Sequence, residues 1–167
     1  MVKTLVLALG NPLRGDDGIG AAVLDALTRF VLPTDVTLID GGTAGLETVL
    51  TLQGYDRALI IDAADMGRSP GSWECFTPES VHLEAGNLAL RGTVHYAGLA
   101  EALTLGAALN TLPPTIMIFG VQPENIGWTQ GLSTAAAAVI PEVAAAVVAA
   151  LFDPVLLAAP NEVEHVP

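Results

Sequence analysis

Nine stretches of the chain carry a readable pattern of apolar and polar positions. Residues 4–9 are a continuous apolar run stopped by Gly10-Asn11-Pro12, the mark of a strand buried on both faces. From 18 to 30, Ile19, Ala22, Val23, Ala26, Leu27 and Phe30 recur at helical spacing. Residues 36–40 predict a second short strand ending in Gly41-Gly42, and 46–52 a helix stopped by Gly54. Residues 58–62 (Ala-Leu-Ile-Ile-Asp) predict a third buried strand. Residues 73–77 alternate between Pro70-Gly71 and Pro78, as an edge strand does. A helix is predicted over 97–109, and a last strand over 115–119 ending at Gly120. The final helix follows Ser133, with a start or kink at Pro141.

Strands alternating with helices imply an α/β fold whose mostly parallel sheet is covered on both faces. No repeat or linker interrupts the pattern, so residues 1–152 are expected to form one α/β domain. The proline-bearing segment 153–167 is expected to be a flexible tail.

The charge balance narrows the chemistry. Eighteen acids against six bases give a formal charge of −12, and the bases are scattered. Nucleic-acid binding through phosphates and anionic membrane surfaces are therefore disfavoured. The stretch 132–152 is apolar enough to imitate a membrane span. It is mostly alanine, however, and Pro141-Glu142 sit near its middle, so it reads as a helix buried against the sheet. The apolar start is too short for a signal peptide, and a cytoplasmic protein is expected. The single cysteine, Cys75, excludes a disulfide framework and a Cys-based structural zinc site.

Three positions stand out at strand-to-helix junctions. The loop from Gly10 to Gly20 contains Asp16-Asp17 but no Walker lysine, and the acid pair would repel phosphate. One acid of the pair can cap the following helix, worth about 1 kcal/mol; the second is surplus to that need. Asp62 ends a buried strand, where a carboxylate is costly unless it is hydrogen-bonded, paired or metal-bound. His95 lies in a loop just ahead of a helix. Two carboxylates and an imidazole over one sheet edge would leave open positions on a divalent metal, which can polarise a carbonyl or activate water. Ser133 carries no G-x-S-x-G signature.

In their order along the chain, Gly10-Asn11-Pro12-Leu13, Asp16-Asp17-Gly18-Ile19-Gly20, Asp62-Ala63-Ala64-Asp65 with Pro70-Gly71, His95, Gly120-Val121-Gln122-Pro123-Glu124 and Gly131-Leu132-Ser133 resemble the hydrogenase maturation proteases. That family trims the C-terminus of the nickel–iron hydrogenase large subunit. The resemblance implies a three-layer α/β/α sandwich with a five-stranded sheet, one strand antiparallel, for which 73–77 is the natural candidate. It implies that Asp17, Asp62 and His95 bind nickel and carry the catalysis. It also implies no tightly bound cofactor: the nickel belongs to the substrate, a nickel-loaded precursor of the large subunit. Gly41, Gly42 and Thr43, after the second strand, and Gln122, after the last, are the substrate-recognition candidates; a plain turn is the alternative for each. A competing class is a nickel-sensing or nickel-delivery protein without hydrolysis. Spore germination proteases share the implied fold but use acids without the histidine, and His95 argues against them.

Overall fold

The computed structural model describes residues 2–78 and 94–153, with the side chains of 94–97 left aside. Five strands form one sheet: β1 (Thr4–Ala8), β2 (Val36–Asp40), β3 (Arg57–Ala63), β4 (Trp73–Phe76) and β5 (Thr115–Val121). Their order across the sheet is β2-β1-β3-β5-β4. All neighbours are parallel except β4, which runs antiparallel to β5 with Trp73 opposite Val121. The expected mostly parallel sheet with 73–77 as its antiparallel edge is what the chain forms.

The apolar runs explain the order. β1 and β3 are buried along their whole length, because helices cover both faces of the sheet there. β2 and β4 are only partly buried, as edge strands are. On one face α1 (Ile19–Leu27) and α4 (Thr134–Phe152) pack against Val6, Leu59, Ile61 and Phe119. On the other, α2 (Thr48–Leu52) and α3 (Val94–Ala108) supply Leu52, Leu99 and Leu103 against Leu5, Leu7, Ile60 and Ile118.

α4 has the length and composition of a membrane span, yet Val143, Ala144, Val147 and Leu151 are buried against the sheet and α1. Its alanines let it lie close. Ser133 caps it by accepting the Ala136 N–H at 3.1 Å, and the helix runs through Pro141 instead of starting there. Arg57, at the start of β3, is fully buried. Its Nε donates to Thr4 Oγ1, and its two terminal nitrogens donate to the carbonyls of Ala150 and Leu151 in the last turn of α4.

The first two helices are shorter than expected, α1 ending at Leu27 and α2 starting at Thr48, and three further differences bear on the site. β5 extends through Gly120 to Val121, because both residues remain paired with β3 and β4. A 3-10 turn, Gly15–Gly18, precedes α1 and holds both acids of the first loop. α3 begins at Val94, three residues early, which places His95 in the first turn of a helix and not in a loop. The tail expected over 153–167 lies, beyond Asp153, outside the described residues.

Candidate functional site at the carboxyl edge of the sheet

The loop after β1 is folded back on itself. Gly10 has φ +119° and its α-carbon lies against the Asp17 carbonyl, so a Cβ at position 10 would overlap that oxygen. The Asn11 N–H donates to Asp17 Oδ2 at 2.8 Å. Asp17 is 1% exposed. Neither acid caps α1, whose N-cap is Gly18 with no side-chain bond, so the capping expectation fails for both.

Asp16 turns the other way and is equally buried. Its Oδ1 accepts the Ser133 N–H at 2.6 Å. Its Oδ2 accepts the Ser133 hydroxyl at 2.8 Å, the Glu124 N–H at 2.7 Å and the Asn125 N–H at 3.3 Å. Burial pushes this carboxyl up. The four hydrogen bonds to its charged form outweigh burial and hold it below the usual carboxylate value.

β1 and β3 stay paired to the site, where the Leu9 N–H reaches the Ile61 carbonyl at 2.9 Å. Asp62 follows, fully buried and opposite Gly120 of β5. Side chains alternate along a strand, so Asp62 shares the face of Ile60 and Ala64, on which Leu99 and Leu103 of α3 pack. The chain crosses from β1 to β2 on one side and reaches β3 on the other. Asp17 and Asp62 therefore flank the point where the sheet order reverses, the place where open α/β sheets bind ligands.

The loop after β3 is held by Gln122, which is buried just past β5. Its Oε1 accepts the N–H groups of Met66 (2.7 Å) and Arg68 (3.2 Å), and its Nε2 donates to Asp65 Oδ1 (3.1 Å). The side chain is thus spent inside the protein, and it shapes the rim by holding residues 65–68.

The loop after β2 reaches the same edge. The Gly10 N–H donates to the Gly42 carbonyl and the Gly41 N–H to the Ala8 carbonyl, each at 2.8 Å. Gly42 sits at φ +60° in a turn closed by its own N–H on Asp40 Oδ1, and Gly41 and Thr43 are exposed on this rim. α3 leans on the loop: a Cβ at Gly98 would come within 2.5 Å of the Ala44 carbonyl. His95 lies three residues before Gly98, so the start of α3 joins the edge that carries Asp17 and Asp62. The His95 side chain is outside the description, and among the described residues no group of three His, Cys, Asp or Glu side chains stands ready for a metal.

Residues 22–150 match the family Hydrogenase maturation protease (HycI). The chain belongs to the hydrogenase maturation protease family. The hydrogenase 2 maturation protease of Escherichia coli strain K12 is 32% identical over 166 residues, covering 98% of this chain and 99% of that one. The solved structure of the E. coli hydrogenase maturating endopeptidase HybD superposes with a TM-score of 0.80 at 32% identity, over 89% of this chain and 91% of that one. The hydrogenase expression/formation protein HupD of Thiocapsa roseopersicina is 36% identical over 74% of this chain. The matched stretch is only 56% of that relative's own length, and 58% for HoxM of Azotobacter vinelandii. The family match begins at residue 22, past the acidic pair of the first loop.

Two features of the site in this family member are not evident in the sequence. One is the Asp16–Ser133 clamp, which ties the loop of Asp17 to the start of α4. The other is Arg14, whose guanidinium lies 5.6 Å from the ring centroid of Trp128. Gly15 and Thr129, joined by a 2.8 Å backbone bond, lie between the same two loops.

Proposed function

We propose that this protein is an endopeptidase that removes the C-terminal extension of a nickel–iron hydrogenase large-subunit precursor after nickel has been inserted. The observation that carries this reading is the pair of buried carboxylates, Asp17 and Asp62, flanking the reversal point of the sheet in a chain of this family. A carboxylate kept from bulk water attracts a divalent ion more strongly than one on the surface. With the imidazole of His95, the set would take three positions on the nickel of the substrate and leave others for the groups that bring it. The protein then keeps no metal of its own, and the cleft is read as complete only when a loaded precursor fills it.

Amide hydrolysis needs a base for the attacking water and positive charge near the scissile carbonyl. In this reading one of the two carboxylates would take the water's proton and return it to the departing amine as the C–N bond breaks, and the substrate's nickel would polarise the carbonyl. The loops at 41–43 and 65–68 form the walls that the large subunit would meet.

The test is incubation of the purified protein with nickel-loaded and nickel-free precursor. A shortened large subunit from the loaded precursor alone supports the reading. Binding of the loaded precursor without shortening would make the protein a nickel-recognising binding protein and overturn it.

A further inference from the structure

We infer that Trp128 and Leu13, braced by Arg14, form a docking anchor for the folded body of the large-subunit precursor. The inference rests on the proposed function for the identity of the partner. Trp128 is 78% exposed and Leu13 56% exposed. They stand on two loops that Asp16 and Gly15 bind together, through the Glu124, Asn125 and Thr129 backbone. The anchor is therefore continuous with the loop that carries Asp17, the loop that a substrate C-terminus would approach in the proposed reading.

The chemistry of the pair specifies what it fits. An exposed indole offers a large apolar face at little entropic cost, and Trp and Arg lead the residues that dominate interface energies. The Arg14 guanidinium against the ring fixes the indole before any partner arrives, which reduces the ordering cost of binding. Among the described residues Arg14 makes no ion pair, and its buried Nε makes no hydrogen bond. In a chain of eighteen acids and six bases, its charge, held over Trp128 and without an ion pair among the described residues, suits a carboxylate on a partner. The complementary surface is an apolar side chain flanked by a carboxylate, close to the C-terminal extension of the precursor.

The experiment measures processing against precursor concentration for the wild-type protein, Trp128→Ala, Trp128→Phe and Arg14→Gln. Val31→Ser serves as control: Val31 is 93% exposed in the segment leading into β2, at the opposite edge of the sheet. For Trp128→Ala, KM is expected to rise about tenfold with kcat within about twofold, the size of an interface anchor. Trp128→Phe is expected to recover most of the loss, Arg14→Gln to raise KM severalfold and weaken its dependence on salt, and Val31→Ser to change nothing. Binding of nickel-free precursor is measured alongside and should weaken by the same factor, because the anchor touches the protein body and not the metal. If nickel-free precursor is cut as readily as loaded, the nickel reading fails while the Trp128 penalty stands. An unchanged KM and unchanged binding in Trp128→Ala, or a loss confined to kcat, overturns the anchor.

Discussion

Asp16 and Ser133 are 117 residues apart in the chain and joined twice, by the serine N–H on one carboxylate oxygen and its hydroxyl on the other. The same hydroxyl oxygen caps α4. Removing the carboxylate would strand the N–H groups of Glu124, Asn125 and Ser133. Hydrogen bonds to a buried charge contribute about 1.5–3 kcal/mol each and are not additive. Asp16→Ala is expected to lower stability by about 3 kcal/mol. Asp16→Asn should cost roughly half of that, since one oxygen still accepts while the amide N–H₂ faces donors. Urea denaturation of the two variants against wild type measures both.

The same carboxylate makes stability depend on pH. Asp16 titrates lower in the folded chain than its ordinary value, so its contribution is complete above the unfolded pKa, about 3.9. The contribution disappears as pH falls below that value and through the folded one. Between pH 5 and pH 2 the wild type should lose more stability than Asp16→Asn. Parallel curves for the two proteins would show that Asp16 is not a source of the acid sensitivity.

Asp17→Asn and Asp62→Asn should separate charge from fold. The asparagine oxygen at position 17 can still accept the Asn11 N–H. Stability should stay within about 1 kcal/mol of wild type, while processing of loaded precursor falls at least about a hundredfold, as expected when a metal-holding or proton-accepting group is lost. A gel of precursor and product reads the activity. An active Asp17→Asn with a dead Asp16→Asn that remains folded would exchange the roles assigned to the two acids.

His95→Ala should abolish processing and preserve the fold. The position is in the first turn of α3, where alanine is the better helix former. Circular dichroism and the processing gel together decide it: a variant that processes normally would remove His95 from the site.

Arg57 offers the opposite test, at the far end of β3 from Asp62. Arg57→Met loses three hydrogen bonds, two of them to the last turn of α4. The expected cost is about 2–4 kcal/mol in urea denaturation. At temperatures where the variant is folded, kcat should be close to that of wild type, because nothing at the carboxyl edge has changed.

The strands were legible because β1, β3 and β5 are covered on both faces, and such burial leaves unbroken apolar runs in the sequence. Asp62 was legible for the same reason: a carboxylate at the end of such a run is conspicuous. The start of α3 was not, since Val94, His95 and Tyr96 are middling helix formers and follow Gly92-Thr93. The partner of Asp16 was invisible because local spacing suggests a helix cap, whereas the real donors come from residues 124–133. Gln122 looked like a rim residue, and only tertiary structure shows its amide turned inward onto Met66 and Arg68. Local pattern predicts elements well and long-range polar pairing poorly, because hydrophobic period is written within one segment and a hydrogen bond across 117 residues is not.

The Asp16–Ser133 clamp also sets an order of events in the life of the molecule. The loop at 10–17 is made more than a hundred residues before Ser133, and the donors that hold Asp16 are complete only when translation has passed Ser133. Chains are built at about 5–20 residues per second and fold as their partners become available. For several seconds the nascent protein therefore has its acids but no fixed place for Asp16. The loop of Asp16 and Asp17 takes its final shape only after the start of α4 has emerged and docked.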